Sequence, residues 1–453
     1  MNRLGVVACA CALSLVTPAC TQSNGASNAQ DPVNGMAGTS PTGGAGGSGG
    51  AGGIIAAGTG GTSGLGGAGG ASGAAGASAG SAGTAGAGGG EAGAAGVAGA
   101  PPIDGGNAGD AATPEDSELA VTADFLNGTL SIIDVGLLHE GGTRADALVG
   151  TVDLGMYAPG PMSLAVTPDG KTALVSISAG FLGAFITVPP GDGILLFVDI
   201  ESRMVTGELE IGGSPMGIVV TPDSKRAFVG LYSENYFAVV DLEAKTFDTI
   251  ATGSGYNEEL ALDDTATVGI LTYGPAGNAK TFAVADPEGM LGQTLGLTGD
   301  AAGAAFFPGT KRAYLMQAPT ILTGNVGGYD VIDVANPEAP VVLDSDRVGT
   351  HPTTYPVIAN AARGSIAYPS TQDNMLSIVE KRLNGDVAEE VKRVVVGQAE
   401  SLAYGLSATH DGRVLVAVPG EHYIGVVDLE AGTAFSVPWE QTMTGPTEIK
   451  VVP

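Results

Sequence analysis

The sequence predicts an all-β protein: a seven-bladed β-propeller closed by the C-terminal strand and preceded by a disordered Gly/Ala/Ser linker. Three observations carry this reading. A strand–turn–strand segment of fifteen residues occurs twice with nine positions identical. An apolar run ending in an acid recurs seven times. The last eight residues read as an unfinished repeat.

The chain has 453 residues, and its 75 glycines are unevenly spread. Met1-Asn2-Arg3 is a short basic start, and Leu4 to Val16 is apolar. About a dozen apolar residues are too few to span a bilayer as a helix and suit an export signal. Thr17-Pro18-Ala19-Cys20 follows. A small residue before a cysteine at this point resembles the bacterial lipobox. That resemblance implies a signal peptide over 1–19, acylation at Cys20, and attachment to a membrane of the cell envelope, periplasmic or surface-exposed. An ordinary signal peptide cut nearby is the alternative, and both mean export. The only cysteines are Cys9, Cys11 and Cys20. Cleavage before Cys20 therefore leaves a domain without disulfides, held by packing and strand pairing.

Residues 20–115 are a low-complexity tether, almost wholly Gly, Ala, Ser and Thr from 24 to 112. Side chains this small cannot bury enough apolar surface to offset chain entropy. As flexible chain, the tract has an r.m.s. span of about 50 Å. The mean hydropathy of +0.24 reflects the alanines here and the leader. The ordered part, 116–453, suits one large all-β domain. The formal charge is −29, from 18 basic and 47 acidic residues. That excludes nucleic acid as a partner, because phosphates need lysine and arginine to neutralise them. It fits a solubility surface, or attraction for cations or a basic partner.

From residue 116 the sequence repeats. Pro161 to Val175 aligns without a gap on Pro215 to Val229, matching Met162 with Met216, Thr167 with Thr221 and Asp169 with Asp223. Each copy reads as a strand, a Pro-Asp turn and a strand. Weaker copies of the second half begin at Lys311 and Asp411. Downstream of each turn an apolar run closes on Asp134, Asp199, Asp241, Asp286, Asp333, Glu380 or Asp428. Apart from one longer first gap, these markers lie about 42–48 residues apart, the length of a four-stranded blade. The first blade, from about Leu119, lacks an innermost strand. Pro446 to Pro453 reads like the start of a repeat and supplies it. Closure leaves no open sheet edge, so a monomer is expected.

Ser214 to Asp223, Arg226 to Val229 and Phe237 to Leu242 together resemble the bacterial YVTN-type β-propeller repeat. The resemblance covers about 118–453 and implies seven blades and an exported setting. It implies no activity, because the matching residues are blade-building positions. Asp169, Asp223 and Asp411, and the seven acidic markers, read as turn formers.

No catalytic constellation emerges. His139, His351, His410 and His422 form no metal-binding pattern, and Asp344-Ser345-Asp346 lacks the rest of a calcium loop. No metal or cofactor is expected. Trp439 is the only tryptophan, unlike Trp-rich quinone-cofactor or WD-type propellers. Two loops between second and third strands are enlarged, about 178–193 with Phe181 and Phe185, and about 317–328. They point to a binding face, or to a plug or cover for the ring. By register the same face receives Met162, Met216, Glu258, Glu259, Glu400, Tyr404 and Glu448 at the starts of innermost strands. Their carboxylates read either as solvated groups or as a lining for a cation. The leading functional reading is a binding or scaffold module for a protein, peptide or glycan. The alternatives are a lactonase-like hydrolase at the channel mouth and a redox role.

Overall fold

The computed structural model describes residues 117–453, except 158, 179–192, 254–256, 274–277, 288–294, 297–299, 319–326, 348–350, 353–356, 373–374, 399–402 and 440–445. The signal peptide, Cys20, the tether, Phe181, Phe185 and Glu400 lie outside the described residues.

The architecture is a seven-bladed β-propeller. Blade 2 is a four-stranded meander, Pro161–Val166, Thr172–Ile177, Ile194–Asp199 and Met204–Glu210, innermost strand first. Blade 3 repeats it from Pro215–Val220 to Thr246–Ala251. The innermost strands of blades 4, 5 and 7 are Asn257–Leu262, Asp300–Phe306 and Leu406–Ala408. That of blade 6 is broken into His351–Pro352 and Val357–Asn360, both paired with Ser365–Gln372. Blade 1 joins the two ends of the domain. Glu448–Val451 pairs antiparallel with Leu119–Asp124, Ala120 opposite Val451 and Ala123 opposite Glu448. Each innermost strand packs on the next, and Glu448–Val451 packs on those of both blade 7 and blade 2. The ring is closed as the sequence predicts.

The core is divided among the seven blade interfaces rather than gathered in one place. Along Thr172–Ile177, Ala173, Val175 and Ile177 enter the cluster shared with blade 1, while Leu174 enters that shared with blade 3. Period-two alternation thus buries both faces, and the middle strands read as continuous apolar runs. Phe228, Phe237 and Phe282 fill the interface of blades 3 and 4, with centroids 5.2–6.3 Å apart. Tyr314, Tyr329 and Tyr368 stack between blades 5 and 6.

The turns work as expected, with one addition. Thr167 Oγ1 donates to Asp169 (2.6 Å) and accepts from the amide of Thr172 (3.0 Å), and Asp169 accepts from the amide of Lys171 (3.2 Å). Thr221/Asp223 and Thr409/Asp411 repeat the pattern. The threonine is therefore as much part of the turn as the acid. Among the markers, Asp134, Asp199, Asp241, Asp333 and Asp428 accept amide hydrogen bonds two or three residues ahead. Glu380 departs from this role. Its strand runs on to Asn384, and the buried carboxylate pairs with Arg382 at 2.9 Å.

Trp439 latches blade 7 to blade 1. Its indole Nε1 donates to the buried Asp124 (3.0 Å), which also accepts from Thr122 (3.1 Å) and Ser131. Arg144 lies over the Trp439 ring at 5.5 Å. Burial raises the Asp124 pKa against these donors. Replacing Trp439 with Phe keeps most of the packing but strips a donor from a buried carboxylate. The expected cost is about 1–3 kcal/mol in urea unfolding at pH 7, and an unchanged midpoint would refute the latch.

Candidate functional site

Four innermost strands slip register at the same level. The extra residues are Met162 in blade 2, Glu258 in blade 4 and Ala302 in blade 5, and in blade 3 Met216 and Gly217 stand opposite the single residue Gly230. A bulge twists its strand and re-aims the neighbouring side chain. This level lies near the face that carries the loops between second and third strands, because each innermost strand begins where its neighbour ends.

Met162 and Met216 are buried against each other, with Phe125, Tyr232 and Tyr404 packed on them. Phe125 opens the turn between the second and third strands of blade 1. A Cβ at Gly160 (φ +127°) would overlap its carbonyl, so only glycine admits that approach. Tyr232 opens the corresponding loop of blade 3. Its amide donates to Ser214 (2.8 Å), and Asn257 holds the same loop through the carbonyls of Glu234 and Tyr236, both at 2.9 Å. The Tyr404 amide donates to Ala417 at 2.8 Å. Four blades thus supply one thioether and aromatic mouth.

One residue further in lie the carboxyl groups. Gly217 follows Met216, and a Cβ there would overlap Oε2 of Glu259. Gly405 follows Tyr404, and a Cβ there would overlap Oε1 of Glu448. The two glycines leave the space that the two carboxyls fill. Glu448 is 2% exposed and Glu258 6%. Lys450 pairs with Glu448 at 3.1 Å and reaches the Leu406 carbonyl at 3.4 Å. Glu259 Oε2 is buried and accepts no hydrogen bond. Burial pushes the Glu259 pKa up to about 8; Lys450 opposes the shift, and Glu448 and Glu258 add to it. Burial also raises Glu448, against Lys450. Near neutral pH, Glu259 therefore largely holds its proton.

Six of the residues read from sequence, Met162, Met216, Glu258, Glu259, Tyr404 and Glu448, come together at this mouth. The solvated reading is overturned for Glu258 and Glu448, both of which are buried. Lys450, Phe125, Tyr232 and the two glycines were not singled out. For Lys450 the signal was present: it stands two residues after Glu448 and so shares its face of the closing strand. His410 lies in a turn on the opposite face, with Nδ1 2.9 Å from Glu118. Among the described residues, no group of three or more His, Cys, Asp or Glu is placed to hold a metal, and no helix is long and apolar enough to cross a membrane.

No family model and no curated protein matches the sequence. Solved structures do match in fold. A functionally unknown protein from Desulfotomaculum acetoxidans is 13% identical, with a TM-score of 0.58 over 74% of this chain and 99% of its own. The periplasmic gluconolactonase PpgL of Pseudomonas aeruginosa is 13% identical, with a TM-score of 0.55 and the same coverage. Hydrazine synthase of Kuenenia stuttgartiensis is 16% identical, with a TM-score of 0.50 over 60% of this chain and 77% of its own. At these identities the likeness is one of fold alone: this chain shares the β-propeller with proteins of differing names.

Proposed function

We propose that the chain is an exported, lipid-anchored binding protein of the YVTN-repeat kind, acylated at Cys20. Its propeller captures a protein, peptide or glycan on the face carrying the loops between second and third strands. The observation that supports this most is the mouth itself, where Phe125, Tyr232, Tyr404, Met162 and Met216 from four blades converge over buried carboxyls. Aromatic and methionine side chains are favoured at binding surfaces because they give large contact area and adapt to a partner. The periplasmic setting of PpgL is consistent with an exported propeller. A lactonase reading draws less support: the charges acting most on Glu259 are Lys450, Glu448 and Glu258, with no histidine or arginine among them.

The test is capture from envelope extracts by the full-length chain, compared with two variants that retain its unfolding midpoint. One carries Phe125→Ala and Tyr232→Ala at the mouth. The other carries Lys225→Glu on the opposite face, in the groove between blades 2 and 3. Loss of at least tenfold in captured partner is expected for the first alone. Equal capture by both variants and wild type would sink the assignment.

A further inference from the structure

We propose that the lumen beneath this mouth is a binding site for an organic cation, an alkylammonium group of the kind a lysine side chain carries, with Glu259 as its counter-ion. The inference rests on the binding reading above and deepens it.

The carboxyls of Glu448 and Glu258 and the ammonium group of Lys450 all act on Glu259. Lys450 is committed to Glu448 and to the Leu406 carbonyl. Glu259 is left with an Oε2 that is buried and accepts nothing. A buried carboxyl oxygen without a donor costs free energy that a ligand's N–H groups would recover. Glu259 as a whole is half-buried, while its Oε2 is packed against Gly217. Lys450 demonstrates that the lumen accommodates an ammonium group beside a glutamate.

The walls select the kind of cation. Calcium and magnesium require six or more oxygens or a retained water shell. The two thioethers and three aromatic rings of the mouth supply no such shell, and of the carboxyls beneath, that of Glu448 is already paired with Lys450. Aromatic faces do attract organic ammonium groups, and the alkyl stem suits methionine and phenylalanine surface. The mouth lies one residue outside the carboxyls on two separate segments of chain, Met216 before Gly217 and Tyr404 before Gly405. A stem passing the mouth therefore delivers its charged end to Glu259.

The titratable groups around this space are Glu258 and Glu259 of blade 4, Glu448 and Lys450 of blade 1, and the phenols of Tyr232 and Tyr404. An ammonium ion competes with the proton on Glu259. Below about pH 8 its binding releases that proton, and affinity rises toward about tenfold per pH unit.

The probe is Nα-acetyl-lysine methylamide, titrated calorimetrically into the full-length chain at several pH values. Its Nε-acetylated form and calcium chloride serve as the comparisons. Saturable binding of the amine with proton uptake by buffer, and none of the acetylated form, is expected. Glu259→Gln should weaken binding at least tenfold and abolish the pH slope. Tyr404→Leu should weaken it several-fold and keep the slope. Absence of saturable binding, equal binding of the acetylated form, tighter binding of calcium, or an unchanged affinity in Glu259→Gln each overturns the proposal. Partner capture that survives alongside a negative titration removes this inference and leaves the binding face in place.

Discussion

At pH 9 the Glu259→Gln variant is expected to be more stable than the parent chain, by about 3–5 kcal/mol, and at pH 5 the two should agree closely. The sign follows from proton binding. In the unfolded chain Glu259 titrates near 4.5, whereas in the folded ring it titrates near 8. Between those values the folded state holds a proton that the unfolded state has lost, so stability falls as pH rises through this window. Above about pH 8 the whole penalty is present, roughly 1.36 kcal/mol for each unit separating the two values. Glutamine has nearly the same shape and never ionises, so the variant escapes the penalty. Glu448 is raised as well, so part of the parental slope persists in the variant. Urea unfolding from pH 5 to pH 9 measures both slopes. Parallel curves would mean that Glu259 is ionised and hydrated in the folded ring, against the buried placement of its Oε2.

How much of this was legible in the sequence depends on what repetition can carry. The Thr167/Asp169 and Thr221/Asp223 turns recur because each blade must solve the same backbone problem, and the recurring acids that close the apolar runs give the blade count. Pro446 to Pro453 could be placed because it obeys the same pattern while lacking a second strand. The site obeys no repeat. Glu259 has Gly217 and Ser163 at the equivalent places in blades 3 and 2, and it fits only because Gly217 is small. The register slips at Met162, Met216 and Glu258 leave no local mark in the sequence, since strand pairing decides them. Phe125 and Tyr232 stand in loops outside the repeat, and Trp439 reaches Asp124 across 315 positions of chain. Contacts of that kind depend on how the ring closes. Glu380 shows the converse: it fits the apolar-run pattern, yet its strand continues past it in a hairpin of 10- and 12-residue strands, longer than any other strand among the described residues.

Closure itself is open to a direct test. A chain ending at residue 445 is expected to lose cooperative unfolding and to associate. Four residue pairs, from Ala120–Val451 to Ala123–Glu448, disappear with the closing strand. Ile449, fully buried between blades 7 and 1, goes with them, and the latch at Trp439 loses the wall beside it. Removing one such isoleucine costs about 2–5 kcal/mol, and each lost backbone hydrogen bond about 0.5–1.5 kcal/mol. Together they approach the whole stability of a domain, about 5–15 kcal/mol. The exposed edge of Leu119–Asp124 then becomes a template for pairing with another chain. Size-exclusion chromatography and urea unfolding should report oligomers and a broad transition. A permuted chain separates this from a mere loss of mass. Moving 446–453 ahead of Leu119, joined through a Thr-Pro-Asp-Gly turn like that of blade 2, restores the same pairing with ordinary blade connectivity. It should fold as a monomer with a sharp transition. If the truncated chain unfolds as sharply as the parent, or the permuted chain fails while the truncated one succeeds, then pairing of the terminal strand is not what holds the ring shut.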